Sequence, residues 1–308
     1  MRLPHLLGNS RLKEALASLP PSGVGSAVLL DGPAGIGKRT AAADLAAGLL
    51  CPEPNGPCGI CPSCKRASAG SHPDLIWLKE PEPGKGVKLE QVRELRAQSF
   101  LRPSEAPFKV FVIPQADRLN LPSQNALLKV LEEPPAGVLF LLTAPSAAAV
   151  LATIRSRCGL FQLSPVSTAQ CEAYLKETCP ACPDPALLAR VYAGRIGPAK
   201  AAASDPAARR TLDEALALAK AVGKADRYET LRLLSAFEKD RAAAAHLLED
   251  LACVAAAVLE GAEGLGLSLP AAARCARGCT EARRSLDRSL NQKLLFTLLA
   301  ANLCEAAG

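Results

Sequence analysis

The 308-residue chain, 49% hydrophobic and 21% charged, has the length and apolar content for two or three domains, each with its own core. It shows no twenty-residue apolar run, so no membrane span is expected, and the opening MRLPHLLGNSR lacks a secretory h-region, which predicts a cytoplasmic protein. A net charge of +6 permits an acidic partner, while 4% aromatic residues argue against a surface that stacks single-stranded bases.

In chain order, the first apolar run is Ala27 to Leu30, brief and bounded by turn signals, as a buried strand requires. It leads into GPAGIGKRT, where Gly32, Gly35, Gly37 and Lys38 match a phosphate-binding loop, and then a helix over Arg39 to Leu50. In such a loop backbone N–H groups converge on phosphate oxygens, with the helix N-terminus and the lysine adding favourable charge. The blander reading is a plain glycine-rich turn. Arg39 stands where a Ser or Thr hydroxyl would bind Mg²⁺, and a guanidinium cannot ligate a cation. Thr40 is about 100° further round the helix and is no replacement.

CPEPNGPCGICPSC follows, with Cys51, Cys58, Cys61 and Cys64 separated by six, two and two residues. Four thiolates this close can enclose one tetrahedral Zn²⁺, a structural metal because a closed shell leaves no site for water. An iron–sulfur cluster is the rival, although the x₃-Cys-Pro continuation is missing after Cys64; unligated thiols are the third reading. His72 is close enough in sequence to substitute as a ligand, but reads better as a loop or capping histidine. The other eight cysteines, including Cys179 and Cys182, read as small buried hydrophobes.

A helix over Leu89 to Phe100 carries Arg93 and Arg96, followed by Arg102; these could touch phosphates, or form a solvated face. The strand Val110 to Ile113 should deliver acids for the metal and for water activation, yet the chain continues Pro114, Gln115, Ala116, Asp117. Unless Asp117 bends back, both acids are absent, so no autonomous hydrolysis is expected; bound, unhydrolysed nucleotide stays open. A helix over Ser123 to Leu131 and a strand over Val138 to Leu142, followed by Thr143, continue the alternation. IRSRC then precedes GLFQL, a last strand, and places Arg157 either as a solvated charge or as an arginine reaching a neighbour's γ-phosphate. Strands alternating with helices imply an α/β parallel sheet over residues 1 to 165. From Val166 the chain is all helix: a small helical segment to about 205, a boundary at Ser204, Asp205 and Pro206, and a larger helical domain over 206 to 308, interrupted by a loop at Gly261 to Pro270.

SQNALLKVLEEPP (Ser123 to Pro135), SRC (Ser156 to Cys158), the four-cysteine insertion and SHPD (Ser71 to Asp74) together resemble the AAA+ subunits of the bacterial sliding-clamp loader, strongly over residues 5 to 205 and more weakly beyond through NQKLLFTLL. Within that family the delta-prime type resembles the chain better than the gamma or tau motors, which keep the metal-binding hydroxyl and the acidic pair. The resemblance implies an AAA+ module, a helical lid over 166 to 205 and a helical collar over 206 to 308. It also implies a stator in a hetero-pentamer with motor subunits and delta, acting on a sliding clamp and primed DNA. Arg157 then matches the arginine donated in trans, the four cysteines match a structural zinc module, and Gly32, Gly37 and Lys38 match a degenerate nucleotide loop. Thr143 matches a γ-phosphate sensing position, and GRIGPAK puts Pro198 where the lid would carry an arginine. The alternatives are a gamma/tau-like ATPase using its own loop, and a zinc-dependent DNA-binding module, for which no dense basic stripe is visible.

Overall fold

The computed structural model of the chain describes residues 1–18, 25–80, 86–287 and 291–304. The chain divides into two compact units, Met1–Pro165 and Val166–Gly308.

In the first unit five strands, β1 (Ala27–Asp31), β2 (Leu75–Trp77), β3 (Lys109–Ile113), β4 (Val138–Ala144) and β5 (Gly159–Gln162), form one parallel sheet in the order β2-β3-β4-β1-β5. The central strands β1, β3 and β4 are continuous apolar runs rather than alternating ones because helices cover both faces of the sheet. Alternate side chains serve opposite faces. Val28, Leu30, Val110, Val112, Leu139 and Leu141 pack with α1 (Ser10–Ser18) and α2 (Lys38–Leu50), while Leu29, Phe111, Ile113, Phe140 and Leu142 pack with α4 (Leu89–Ser99), α5 (Leu121–Glu132) and α6 (Ala152–Arg155). Phe111 and Phe140 stack at 5.5 Å between centroids in that second layer. Between α2 and β2 lies α3 (Pro62–Ser68), whose first turn starts at Pro62.

Three differences from the sequence reading have local causes. The strand β2 is only three residues long and lies at the sheet edge, too short for a periodic signal. Helix α5 starts two residues before Ser123, since the Asn120 side chain accepts the Ser123 N–H at 2.9 Å and Pro122 occupies the first turn. The short helices α1, α3 and α6 lie in stretches the apolar periodicity leaves unmarked.

The second unit is helical: α7 (Thr168–Thr178), α8 (Pro185–Val191), α9 (Ile196–Ser204), α10 (Pro206–Gly223), α11 (Arg227–Ser235), α12 (Arg241–Leu259), α13 (Leu269–Asp287) and α14 (Gln292–Leu303). Ser167 and Gln170 close a capping box, and Asp205, Asp226, Asp240 and Asn291 accept first-turn N–H groups. One buried cluster runs from Cys171 through Leu212 and Leu251 to Leu303. The expected boundary at Asp205 falls on the cap between α9 and α10, inside this cluster. By length and composition α12, at 19 residues, could cross a membrane, although no membrane span is expected from the sequence. Its Leu247, Leu248, Leu251 and Val254 are buried in the unit's own core, and Glu249 and Asp250 interrupt it, so it reads as a core helix.

Candidate functional site

The glycine-rich loop leaves the C-terminal end of β1, flanked in the sheet by β4 and β5. Gly32 has φ +147°, and a Cβ there would sit 2.5 Å from Ile36 Cδ1 and from the Leu163 carbonyl, so no side chain fits. Gly37 caps α2 with φ +99°, a left-handed conformation that glycine adopts without strain. Lys38 opens the helix and folds back over the loop, its ammonium donating to the Pro33 carbonyl at 2.6 Å and to that of Gly32. Burial lowers the Lys38 pKa, opposed by the charges of Asp117 and Asp31. A phosphate entering here would meet a lysine already bonded to the loop's own carbonyls.

Arg39 turns away from the loop. Its Nη1 bonds Glu80 Oε1 at 2.5 Å and its guanidinium lies 5.2 Å from the centroid of the Trp77 ring. After β3, Gln115 takes a left-handed backbone conformation, and its N–H donates to Thr143 Oγ1 at 3.2 Å. Thr143 therefore satisfies a backbone group. Asp117 sits half-buried in the short 3₁₀ turn Ala116–Arg118, where burial raises its pKa while Arg118 and Lys38 pull it back. Its Oδ1 has no hydrogen-bond partner among the described residues. Asp117 is thus within electrostatic reach of Lys38.

The four cysteines converge. Their Sγ atoms all lie within 4.8 Å of one another, with Cys51–Cys61 and Cys58–Cys64 each at 4.0 Å. Tetrahedral Zn–S bonds of about 2.3 Å put sulfurs about 3.8 Å apart, close to this spacing. Backbone N–H groups of Cys61 and Cys64 point at the sulfurs of Cys58 and Cys61, at 3.4 and 3.3 Å, as thiolates would require. The Cys61 N–H leads the groups that draw the Cys58 thiol down to about 6, whereas burial pushes Cys64 up to about 12. The cluster can hold a metal. His72 is no part of it: fully buried, its Nδ1 accepts the Asp74 N–H at 3.0 Å and its Nε2 lies 3.0 Å from Ser63 Oγ, which donates to the Leu50 carbonyl. It braces α3 against the end of α2. Asp74 is buried too, and its carboxylate accepts the N–H groups of Ser104, Glu105 and Ala106 at 2.6, 2.9 and 3.0 Å. Burial would raise its pKa, but these donors hold it below the ordinary carboxylate value. SHPD is therefore an architectural element. Of the other eight cysteines, seven are buried as expected and Cys158 is half-buried.

Arg157 follows α6 at the protein surface. Its Nη2 bonds Glu132 Oε1 at 2.8 Å and its Nη1 bonds the Thr153 carbonyl at 2.8 Å. No local signal in the sequence pairs Glu132, the first acid of LEEPP, with SRC. Arg93, Arg96 and Arg102 are exposed on and just after α4. In the second unit Pro198 lies in the first turn of α9, and the neighbouring Arg195 is committed inward, its Nη2 donating to Cys253 Sγ at 2.6 Å and its Nε to the Tyr192 carbonyl at 3.3 Å. Beside it the Tyr192 hydroxyl donates to Asp250 at 2.9 Å, and burial raises that carboxyl to about 6.

A sequence profile for the family described as DNA polymerase III, delta subunit, matches residues 10–167. The chain is 42% identical over 134 residues to DNA polymerase III subunit delta' of Pseudomonas aeruginosa, covering 43% of this chain and 41% of that protein. Identity to the delta' subunit of Haemophilus influenzae is 40% over 139 residues, 45% of this chain and 42% of the relative. The tau subunit of Salmonella typhimurium is 36% identical over 168 residues, 54% of this chain and 26% of tau. These matches span less than half the length of each relative. A crystal structure of a DNA polymerase III gamma subunit-related protein from Thermotoga maritima aligns over 95% of this chain and 97% of its own, with TM-score 0.55 and 17% identity. The fold expected from the sequence, an α/β AAA+ P-loop module followed by a helical region, is the fold of this chain.

Proposed function

The chain belongs to the DNA polymerase III delta-subunit family, and from that membership we propose that it acts as a non-hydrolysing, delta-prime-type subunit of a clamp loader. In this reading it stands in a hetero-pentamer with gamma/tau motor subunits and delta, in the cytoplasm, and helps the complex open a sliding clamp and place it on primed DNA. Its own contribution to chemistry is Arg157, supplied in trans to the ATP site of an adjoining motor subunit, where a guanidinium stabilises charge developing on the transferred phosphoryl group.

The observation that carries the loss of hydrolysis is the fate of Arg39. Where a metal-binding hydroxyl is needed, the chain has a guanidinium that bonds Glu80 and lies over Trp77. Pro114 and Gln115 compound the loss after β3, and Thr143 is occupied by a backbone N–H. The four-cysteine cluster fits a structural Zn²⁺ held by Cys51, Cys58, Cys61 and Cys64; bound there, the metal would tie the loop after α2 to α3. Residues 166–205 serve as the lid and 206–308 as the collar. Support for a collar comes from Tyr228, Leu231, Leu294 and Leu298, exposed apolar side chains on α11 and α14 of the kind that subunit interfaces bury.

A second reading, a gamma/tau-like motor, is favoured by one feature, the charge of Asp117 acting on Lys38. ATP turnover by the purified chain separates the two. The stator reading expects no hydrolysis above background, in wild type and in Lys38→Ala alike. Turnover that disappears in Lys38→Ala would establish the motor.

A further inference from the structure

Two sequence motifs that the site chemistry leaves separate, LEEPP and SRC, meet in space. Glu132, the last residue of α5, and Arg157 are 25 positions apart, yet Glu132 Oε1 and Arg157 Nη2 are 2.8 Å apart, a charge-assisted hydrogen bond. The same guanidinium is held from the other side by the Thr153 carbonyl, 2.8 Å from Nη1, with Ser156 Oγ at 3.4 Å from Nη1. A guanidinium carries five N–H donors, one on Nε and two on each Nη. The three contacts use both donors of Nη1 and one of Nη2. One N–H on Nε and one on Nη2 remain without a partner among the described residues.

The pair does little for the fold. Both side chains are substantially exposed, Arg157 at 35% and Glu132 at 50%, and exposed ion pairs contribute little to stability. What the contact does determine is direction. A long side chain free in solvent samples many rotamers, whereas one gripped at Nη1 and Nη2 presents a fixed remainder of its fork. Resting on the trans role proposed for Arg157, we propose that Glu132 is the positioning residue of that arginine, and that the Glu132–Thr153 clamp presents the Nε and Nη2 donors to a phosphate oxygen brought by the neighbouring subunit. Glu132 touches no substrate and acts only through Arg157.

The test uses the chain assembled with its motor subunits, delta, clamp and primed DNA, with the phosphate-loop lysine substituted in every motor subunit except the one adjoining this chain, and compares wild type, Glu132→Ala, Glu132→Gln, Arg157→Ala and the double alanine variant in ATP turnover. A misplaced reacting group costs roughly a hundredfold in rate, so Glu132→Ala should lower kcat by about tenfold to a hundredfold with KM for ATP little changed. Glu132→Gln, which keeps an acceptor oxygen, should recover most of that loss. The double variant should be no worse than Arg157→Ala alone, because Glu132 has no role once the guanidinium is gone. Loss in Arg157→Ala with full or raised turnover in Glu132→Ala would overturn the positioning role and leave the arginine donor standing. Unchanged turnover in Arg157→Ala would overturn both. Equal loss in Glu132→Ala and Glu132→Gln would also overturn the clamp, since an amide oxygen can still accept.

Discussion

At the scale of single residues, the chain keeps the form of a nucleotide loop while its polar groups are spent internally. Lys38 bonds the loop's own carbonyls, Arg39 is spent on Glu80 and Trp77, and Thr143 is spent on the Gln115 N–H. Asp74 shows the same economy in an architectural role, one buried carboxylate ordering the three successive N–H groups of residues 104–106. Asp74→Asn replaces a carboxylate oxygen by an amide NH₂ facing donors, and should destabilise the fold by about 1–3 kcal/mol at neutral pH, measured by urea denaturation. The pH dependence follows from the direction of the shift. A carboxyl held below its unfolded value near 3.9 contributes fully above that pH and loses its contribution as the pH falls through the folded pKa. The stability gap between wild type and Asp74→Asn should therefore narrow below about pH 4, and a gap that stays constant into acid would contradict the assignment.

Among elements, what was legible in the sequence was what is contiguous in it. The runs AVLL, VFVI and VLFLL announce strands because both faces of each are buried, and GPAGIGK announces its loop because Gly32 and Gly37 are required by backbone geometry over a few residues. The cysteine cluster was readable for the same reason, its four thiols lying within one short loop and the first turn of α3. Contacts between distant stretches left no such trace. Arg39 meets Glu80 across 41 positions and Arg157 meets Glu132 across 25, and neither acid carries a local signal that selects it from its neighbours. Edge strand β2 was invisible because three residues cannot show a period. The four-cysteine cluster allows a direct test at this scale. Purified chain should hold one zinc per molecule by elemental analysis, and a strong chelator should remove it with loss of protection from hydrogen exchange in α3 and the loop from Cys51 to Cys61, while the sheet stays protected. Stoichiometric iron with visible absorption would replace zinc by a cluster, and the absence of any metal would leave four unligated thiols.

For the whole molecule, an α/β module and a helical unit are joined in one chain. The first unit exposes Arg157 at its surface while its own phosphate loop lacks a metal hydroxyl; the second leaves Tyr228, Leu294 and Leu298 uncovered on α11 and α14. In the proposed role, a subunit built this way acts on a neighbour's nucleotide. The measurement that tests this most directly is ATP turnover in the assembled complex, with the phosphate-loop lysine substituted in every motor subunit except the one adjoining this chain. The account predicts that Arg157→Ala lowers turnover at that remaining site by about 10³ or more, and that Arg157→Lys does not restore it, because an ammonium cannot reproduce the guanidinium fork. Turnover unchanged by Arg157→Ala, in a complex that assembles normally, would contradict the central claim.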